Sequence, residues 1–244
     1  LTMSLFAFAG CAKEQPSTEQ PSEQPEAEEP GEEPAEEPAG NGVKTGLAVV
    51  TSVEKSKDAA ADAEGLGQSD SVVVAVTVDA DGKVIKAAID TAQTKINFST
   101  EGKVTSDLTA VYKSKQELKE EYGMATASSL GKEWYEQANA LAEYFVGKTA
   151  EEIKAIPTDE TGVPTDADLV SSVTVKINDY KAAAEKAIAN AQDLGAAADD
   201  KLGLGVVTTI DKSKDATAEA EGQTQASSTF AAATFDADGK ITSS

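Results

Sequence analysis

From Leu47 to Val53, and again from Val72 to Val78, β-branched residues are interleaved with small or polar ones. Side chains in a strand project alternately to its two faces, so both segments are expected to be strands with one side toward a core. Asp79-Ala80-Asp81-Gly82 is a turn signal, and Lys83 to Ile89 follows as the return strand of a hairpin. A second pair, Lys95 to Phe98 and Lys103 to Thr105, is predicted to turn at Thr100-Glu101-Gly102.

Beyond Thr105 the period lengthens to that of a helix. Ser114 with Glu117 has the spacing of a capping box ahead of a short helix ending near Gly123. Between Lys132 and Val146, Trp134, Ala138, Leu141 and Phe145 share one stripe, and Gly147 closes the helix. Thr149 with Glu152 opens another short helix that stops before Pro157. Asn178 or Asp179 is expected to cap a last, Ala-rich helix reaching about Ala191. Strands first and helices afterwards, without strict alternation, predict an α+β fold in which antiparallel hairpins are covered by helices.

The strand pattern then returns. Gly46 to Ala87 and Gly203 to Ser244 align without a gap at an offset of 157 residues, with 23 of 42 positions identical. Gly46-Leu47-Ala48-Val49-Val50-Thr51 corresponds to Gly203-Leu204-Gly205-Val206-Val207-Thr208, and Asp79-Ala80-Asp81-Gly82-Lys83 to Asp236-Ala237-Asp238-Gly239-Lys240. A period this long suits whole domains in tandem rather than a solenoid. The expected organisation is a complete copy over 43–198 and the truncated start of a second over 199–244, interrupted within its hairpin.

The two segments before the first copy have a different character. Leu1 to Gly10 are almost all apolar or small and run into Cys11, the only cysteine. Phe8-Ala9-Gly10-Cys11 resembles a lipobox, in which small residues before the cysteine permit cleavage once its thiol carries diacylglycerol. Phe8 stands where leucine is usual. The resemblance implies that residues 1–11 are the end of a lipoprotein signal peptide whose basic start is missing, and that Cys11 anchors the protein to a membrane. Ten residues are too few to span a bilayer of about 30 Å. Residues 12–42 follow as an acidic linker: six of the eight prolines and ten glutamates lie between Ala12 and Gly40. Such a stretch has too little apolar surface to offset its ordering entropy and is expected to be a disordered, extended tether. Together these segments predict a protein held on the outer face of a bacterial cytoplasmic membrane.

Composition narrows the chemistry. A net charge of −22, from 21 basic and 43 acidic residues, argues against nucleic acid and against peripheral binding to anionic lipid. Apolar residues make up 40% of the chain, enough for a core, but aromatics are only 5% and the core must be rich in small residues. With no histidine, and no cysteine beyond Cys11, His-dependent triads, thiol catalysis and His- or Cys-ligated metals are excluded. Asp79 and Asp81 resemble the start of a calcium loop, but the glycine falls in the wrong place and later ligands are missing, so a hairpin turn and no metal is expected. Glu117, Glu120 and Glu121 read as a solvated helix face, and no carboxylate pair stands out as a hydrolase would require.

One segment carries a more specific pattern. Asp168, Ser171, Ser172, Val173 and Thr174 lead by a short connection into the Ala-rich helix. This resembles the C-terminal signature of FMN-binding domains, the family related to flavin subunits of sodium-pumping and Rnf-type redox complexes. There an Asp and two variable residues precede Ser-Gly-Ala-Thr, and a flavin transferase joins FMN to the Thr through a phosphoester. Ser172 and Val173 replace the glycine and alanine. The resemblance spans roughly Gly46 to Ala191, though its specific part is about seven residues. It implies FMN on Thr174, with Asp168, Ser171 and Ser172 beside it and Trp134, Tyr135 or Met124 against the ring. A tethered electron carrier rather than a hydrolase or transferase would follow, with redox proteins as partners. The alternative is a non-catalytic surface binding or structural module of the same fold without flavin, in which Trp134 is a core residue.

Overall fold

A computed structural model describes residues 42–244, so Cys11 and nearly all of the acidic linker lie outside the described residues. The first strands are β1 (Lys44–Ser52), β2 (Gly65–Val78) and β3 (Val84–Phe98), which form an antiparallel sheet in that order. The helices follow: α1 (Lys115–Leu118), extended by a 3-10 turn at Lys119–Tyr122, then α2 (Trp134–Phe145), α3 (Ala150–Lys154) and α4 (Asn178–Ala189). A second antiparallel sheet is built from β4 (Lys201–Thr209), β5 (Ser227–Phe235) and β6 (Ile241–Ser243), again in chain order. Mixed α+β architecture, with antiparallel strands and helices packed on a sheet, is what the hydrophobic pattern predicts. No helix among the described residues is long and apolar enough to cross a membrane.

Local signals place most of the boundaries. Both capping boxes form: the Ser114 side chain accepts from the Glu117 amide while Glu117 accepts from the Ser114 amide, and Thr149 with Glu152 does the same. Each pair satisfies two amides that the first helical turn leaves without partners. At the end of α2, Gly147 takes a φ of 80°, a left-handed conformation open to glycine at little cost. The start of α4 departs from expectation. Ile177 occupies the capping position without a side-chain bond, and Asn178 and Asp179 lie in the first turn, where Asp179 favours the helix dipole instead.

The second predicted hairpin also differs. Lys95 to Phe98 is not a separate strand but the end of β3, and Lys103 to Thr105 contributes only an isolated bridge, Phe98 to Val104, around the Thr100–Gly102 turn. The distal half of the β2–β3 ladder escapes a hydrophobic reading because it is polar on the helix-covered face. Gln93 lies opposite Asp70 and donates to it at 2.9 Å, so cross-strand hydrogen bonds replace apolar contact there.

The first sheet is buried on both faces. Val72, Val74, Val76 and Val78 join Trp134, Leu141, Phe145, Ile153, Leu169 and Ala183 in one core under the helices. Burying each large apolar side chain of this set contributes about 1.5–3 kcal/mol. Val73, Ala75 and Thr77 point the other way, toward the second sheet, and are equally buried. There β4 lies against β2 and β3, and β5 against β1. Helix α4 sits directly on β1 at Gly46: a Cβ there would fall on the carbonyl of Ala187 and within 3.1 Å of the Ala191 Cα. A glycine is required because backbone meets backbone.

The two sheets share a register at the 157-residue offset. Lys44 pairs with Val78 and Lys201 with Phe235, and both hairpins carry the same irregularity, at Thr77/Val78 and at Thr234/Phe235. Even the side-chain bonds correspond: Thr51 to Ser71 matches Thr208 to Ser228, and Ser56 to the Gln68 carbonyl matches Ser213 to the Gln225 carbonyl.

Candidate functional site

The Asp168–Thr174 segment forms no strand. It is a turn whose backbone folds back on itself, with the amides of Leu169 and Val170 donating to the Asp166 carbonyl and those of Ser172 and Val173 to the Leu169 carbonyl. Leu169 and Val173 are driven into the core, while Asp168 and Ser171 are exposed and Ser172 and Thr174 are half-buried. The Asp166 carboxylate accepts the Asp168 amide at 3.0 Å. Apolar side chains spaced four apart dock the turn and leave the polar ones outside.

Thr174 is held by Gln137, a wholly buried residue of α2. The Gln137 Oε1 accepts both the Thr174 amide at 2.8 Å and its hydroxyl at 3.1 Å, and Nε2 donates to the Ser128 hydroxyl and the Lys132 carbonyl. All of the carboxamide's polarity is therefore used inside the protein, as a buried amide demands. The segment 168–174 thus lies beside α2, with Thr174 already bonded to the scaffold.

The proposed ring platform is arranged differently. Trp134 is 2% exposed, and its indole Nε1 donates to the Tyr180 hydroxyl at 3.1 Å. Tyr135 is half-buried against the core, and its hydroxyl donates to Glu120 at 3.0 Å. Met124 packs partly buried against the core, and its amide is bonded by Glu133. The five best-formed cavities among the described residues, of about 210 to 550 Å³, are lined by residues other than Thr174, Ser171, Trp134 and Tyr135. The residues offer an attachment oxygen at Thr174 but do not fit a cradle for an isoalloxazine ring. Glu117, Glu120 and Glu121 are occupied by the cap, Tyr135 and Lys113 respectively.

A second cluster escaped sequence reasoning. Asp70 accepts from Lys55, Gln68 and Gln93; burial pushes its carboxyl up, but these bonds together hold it below the ordinary range. Next to it Lys115, 9% exposed, lays its ammonium 4.5 Å from the Tyr122 ring centroid and 5.3 Å from that of Trp134. Burial depresses its pKa. Aromatic faces stabilise a cation electrostatically, which accounts for a lysine in this position. The signal was hidden because Lys115 sits inside a capping box that reads as surface. Among the described residues no group of three or more acidic or other ligating side chains is placed to hold a metal.

Asp90 is a buried carboxyl on β3. Its Oδ1 accepts the Thr91 amide at 2.7 Å and the Gln116 amide at 3.0 Å, so it joins α1 to β3. Burial raises its pKa despite these bonds. Folding therefore favours the neutral acid: its contribution is complete below the ordinary carboxylate range and is lost as pH rises through the elevated value. Asp90→Asn keeps the acceptor without the charge. Urea titrations should show the variant losing less stability than the parent between about pH 3 and 7; identical pH profiles would contradict this account.

No protein-family model matches the chain, and no curated protein or solved structure matches it.

Proposed function

We propose that this chain is a membrane-tethered extracytoplasmic lipoprotein whose folded part is a non-catalytic binding or structural module, repeated in tandem. The observation that carries the module reading is the Gln137–Thr174 bond pair, which commits the hydroxyl best suited to chemistry to holding a turn on α2. The shared register of the two sheets supports the tandem repeat. The lipobox at Cys11 and the acidic linker support the tether, with the lipid as the membrane contact.

A flavin carrier is the second reading, favoured by one feature: the half-buried Thr174 sits on a surface turn flanked by the exposed Ser171 and Asp168. Were FMN attached, Thr174 would hold its phosphate with Ser171 and Ser172 beside it, and the flavin would supply electron transfer. Co-production with a flavin transferase and intact-mass measurement separates the two readings. The module reading expects a colourless protein, unmodified at Thr174. A yellow protein that loses its added mass in Thr174→Ala would replace it with the flavin reading. The same spectrum tests the anchor, since a diacylglyceryl adduct on Cys11 is expected.

A further inference from the structure

The sheet face opposite the helices, which carries Val73, Ala75 and Thr77, is covered by the second sheet, and the contacts across it are reciprocal. Strand β5 lies on β1 while β4 lies on β2, which is the same contact with the two copies exchanged. Single residues obey the same rule at the 157-residue offset. Leu47 and Ser244 line one opening, and their counterparts Leu204 and Ala87 line another. Thr45 meets Ser243 through a 2.8 Å hydroxyl pair, and the counterparts Leu202 and Lys86 share a third opening. Gly67 meets its own counterpart: Thr224 supplies the three atoms nearest to the place a Gly67 Cβ would take. Around that point a cavity of about 240 Å³ is lined by Gly67, Gln68 and Ser69 of one copy and by their counterparts Thr224, Gln225 and Ala226 of the other. Reciprocal contacts are the mark of an isologous, two-fold interface, and a residue that faces its own counterpart lies on the axis.

At such an axis two identical side chains compete for one space. A Cβ on Gly67 would lie 2.3 Å from the Thr224 Oγ1 and 2.8 Å from the Thr224 Cβ. Rotating the threonine about χ1 brings its methyl to the place of its hydroxyl and leaves its Cβ where it was, so only a backbone shift would make room. Threonine facing threonine is therefore excluded, and glycine facing glycine leaves a gap. We infer that the face opposite the helices is a pairing surface whose partner is an unlike copy of the same repeat, with Gly67 and Thr224 as the residues that select it. Burial of the apolar face supplies the affinity, and the clash between like copies supplies the discrimination. An isologous face is used up by one partner, so the copies associate as closed pairs and not as an open stack. The inference rests on the tandem-repeat part of the module reading and gives that module its partner.

The test uses the 244-residue chain in four forms: the parent, Gly67→Thr, Thr224→Gly, and the exchanged form that carries both substitutions. The second sheet rests on the first, so amide exchange along β4 and β5 reports how firmly the two are held together. Gly67→Thr should speed that exchange about tenfold or more, because overpacking at the axis lifts one sheet from the other. The exchanged form should return to within about threefold of the parent, since the two sides of a two-fold axis are equivalent and the threonine fits from either. Whatever threonine does to β2 by itself, its strand propensity included, is common to these two variants. Thr224→Gly, the other like pair, should also be less protected than the parent. A like pair protected as well as the parent, or an exchanged form no better than Gly67→Thr, would overturn the proposal. Failure of the module reading is recognised separately, as flavin mass on Thr174.

Discussion

Gly46→Ala is expected to destabilise the fold by about 3 kcal/mol or more, at the upper end of what overpacking costs. The added methyl would fall on the Ala187 carbonyl, with the carbonyl carbon 3.0 Å away and the Ala191 Cα 3.1 Å away. No side chain can rotate to make room, so α4 must lift from β1 and open the contact that seals Ala183, Ala184 and Ala187. The control lies within the same chain. Gly203 occupies the equivalent place on β4, but the nearest atom to a Cβ there is the edge of the Phe235 ring at 3.0 Å, and the Ala233 carbonyl lies at an ordinary contact distance of 3.6 Å. Gly203→Ala should therefore cost less than about 1 kcal/mol, since a flexible ring can give way. Urea unfolding of the two variants measures both, and equal costs would show that α4 does not make this contact.

Trp134→Ala should cost about 3–5 kcal/mol, the range for truncating a large buried aromatic. Three losses combine. The indole leaves a cavity among Leu141, Ala138 and Tyr180; the Tyr180 hydroxyl loses its 3.1 Å donor; and the Lys115 ammonium loses one of its two aromatic faces. Trp134→Phe retains most of the packing without the donor and should recover more than half of the loss. If Trp134 instead served mainly to hold a ring at the surface, alanine would change ligand binding with little effect on the denaturation midpoint. Because Trp134 is the only tryptophan, its fluorescence offers a direct probe of the parent protein: a blue-shifted, quencher-resistant emission is expected of a sealed indole.

The hydrophobic pattern, the capping boxes and the glycine stop were enough to place β1, the hairpin into β3, and all four helices. Each depends on residues within a few positions of one another, so each is written locally. The stripe of Trp134, Ala138, Leu141 and Phe145 marks a core face on its own, and the 157-residue correspondence predicts equal strand registers because equal side-chain patterns demand equal faces.

What required the tertiary structure were the pairings between distant segments. The length of β3 depends on Asp70 and Gln93 satisfying one another across strands, which no apolar period records. The status of Thr174 depends on Gln137, 37 residues earlier on another element. A serine- and threonine-rich segment before a helix has the composition of a ligand loop and of a docked turn alike, and only its partner distinguishes them. The same holds for Lys115 and Asp90, charged side chains that are buried by elements remote in the chain. Sequence by itself determined the local elements and their recurrence, because short-range periodicity and caps depend on neighbouring residues. Only the tertiary structure decided which polar groups face inward, because burial is set by whatever packs above.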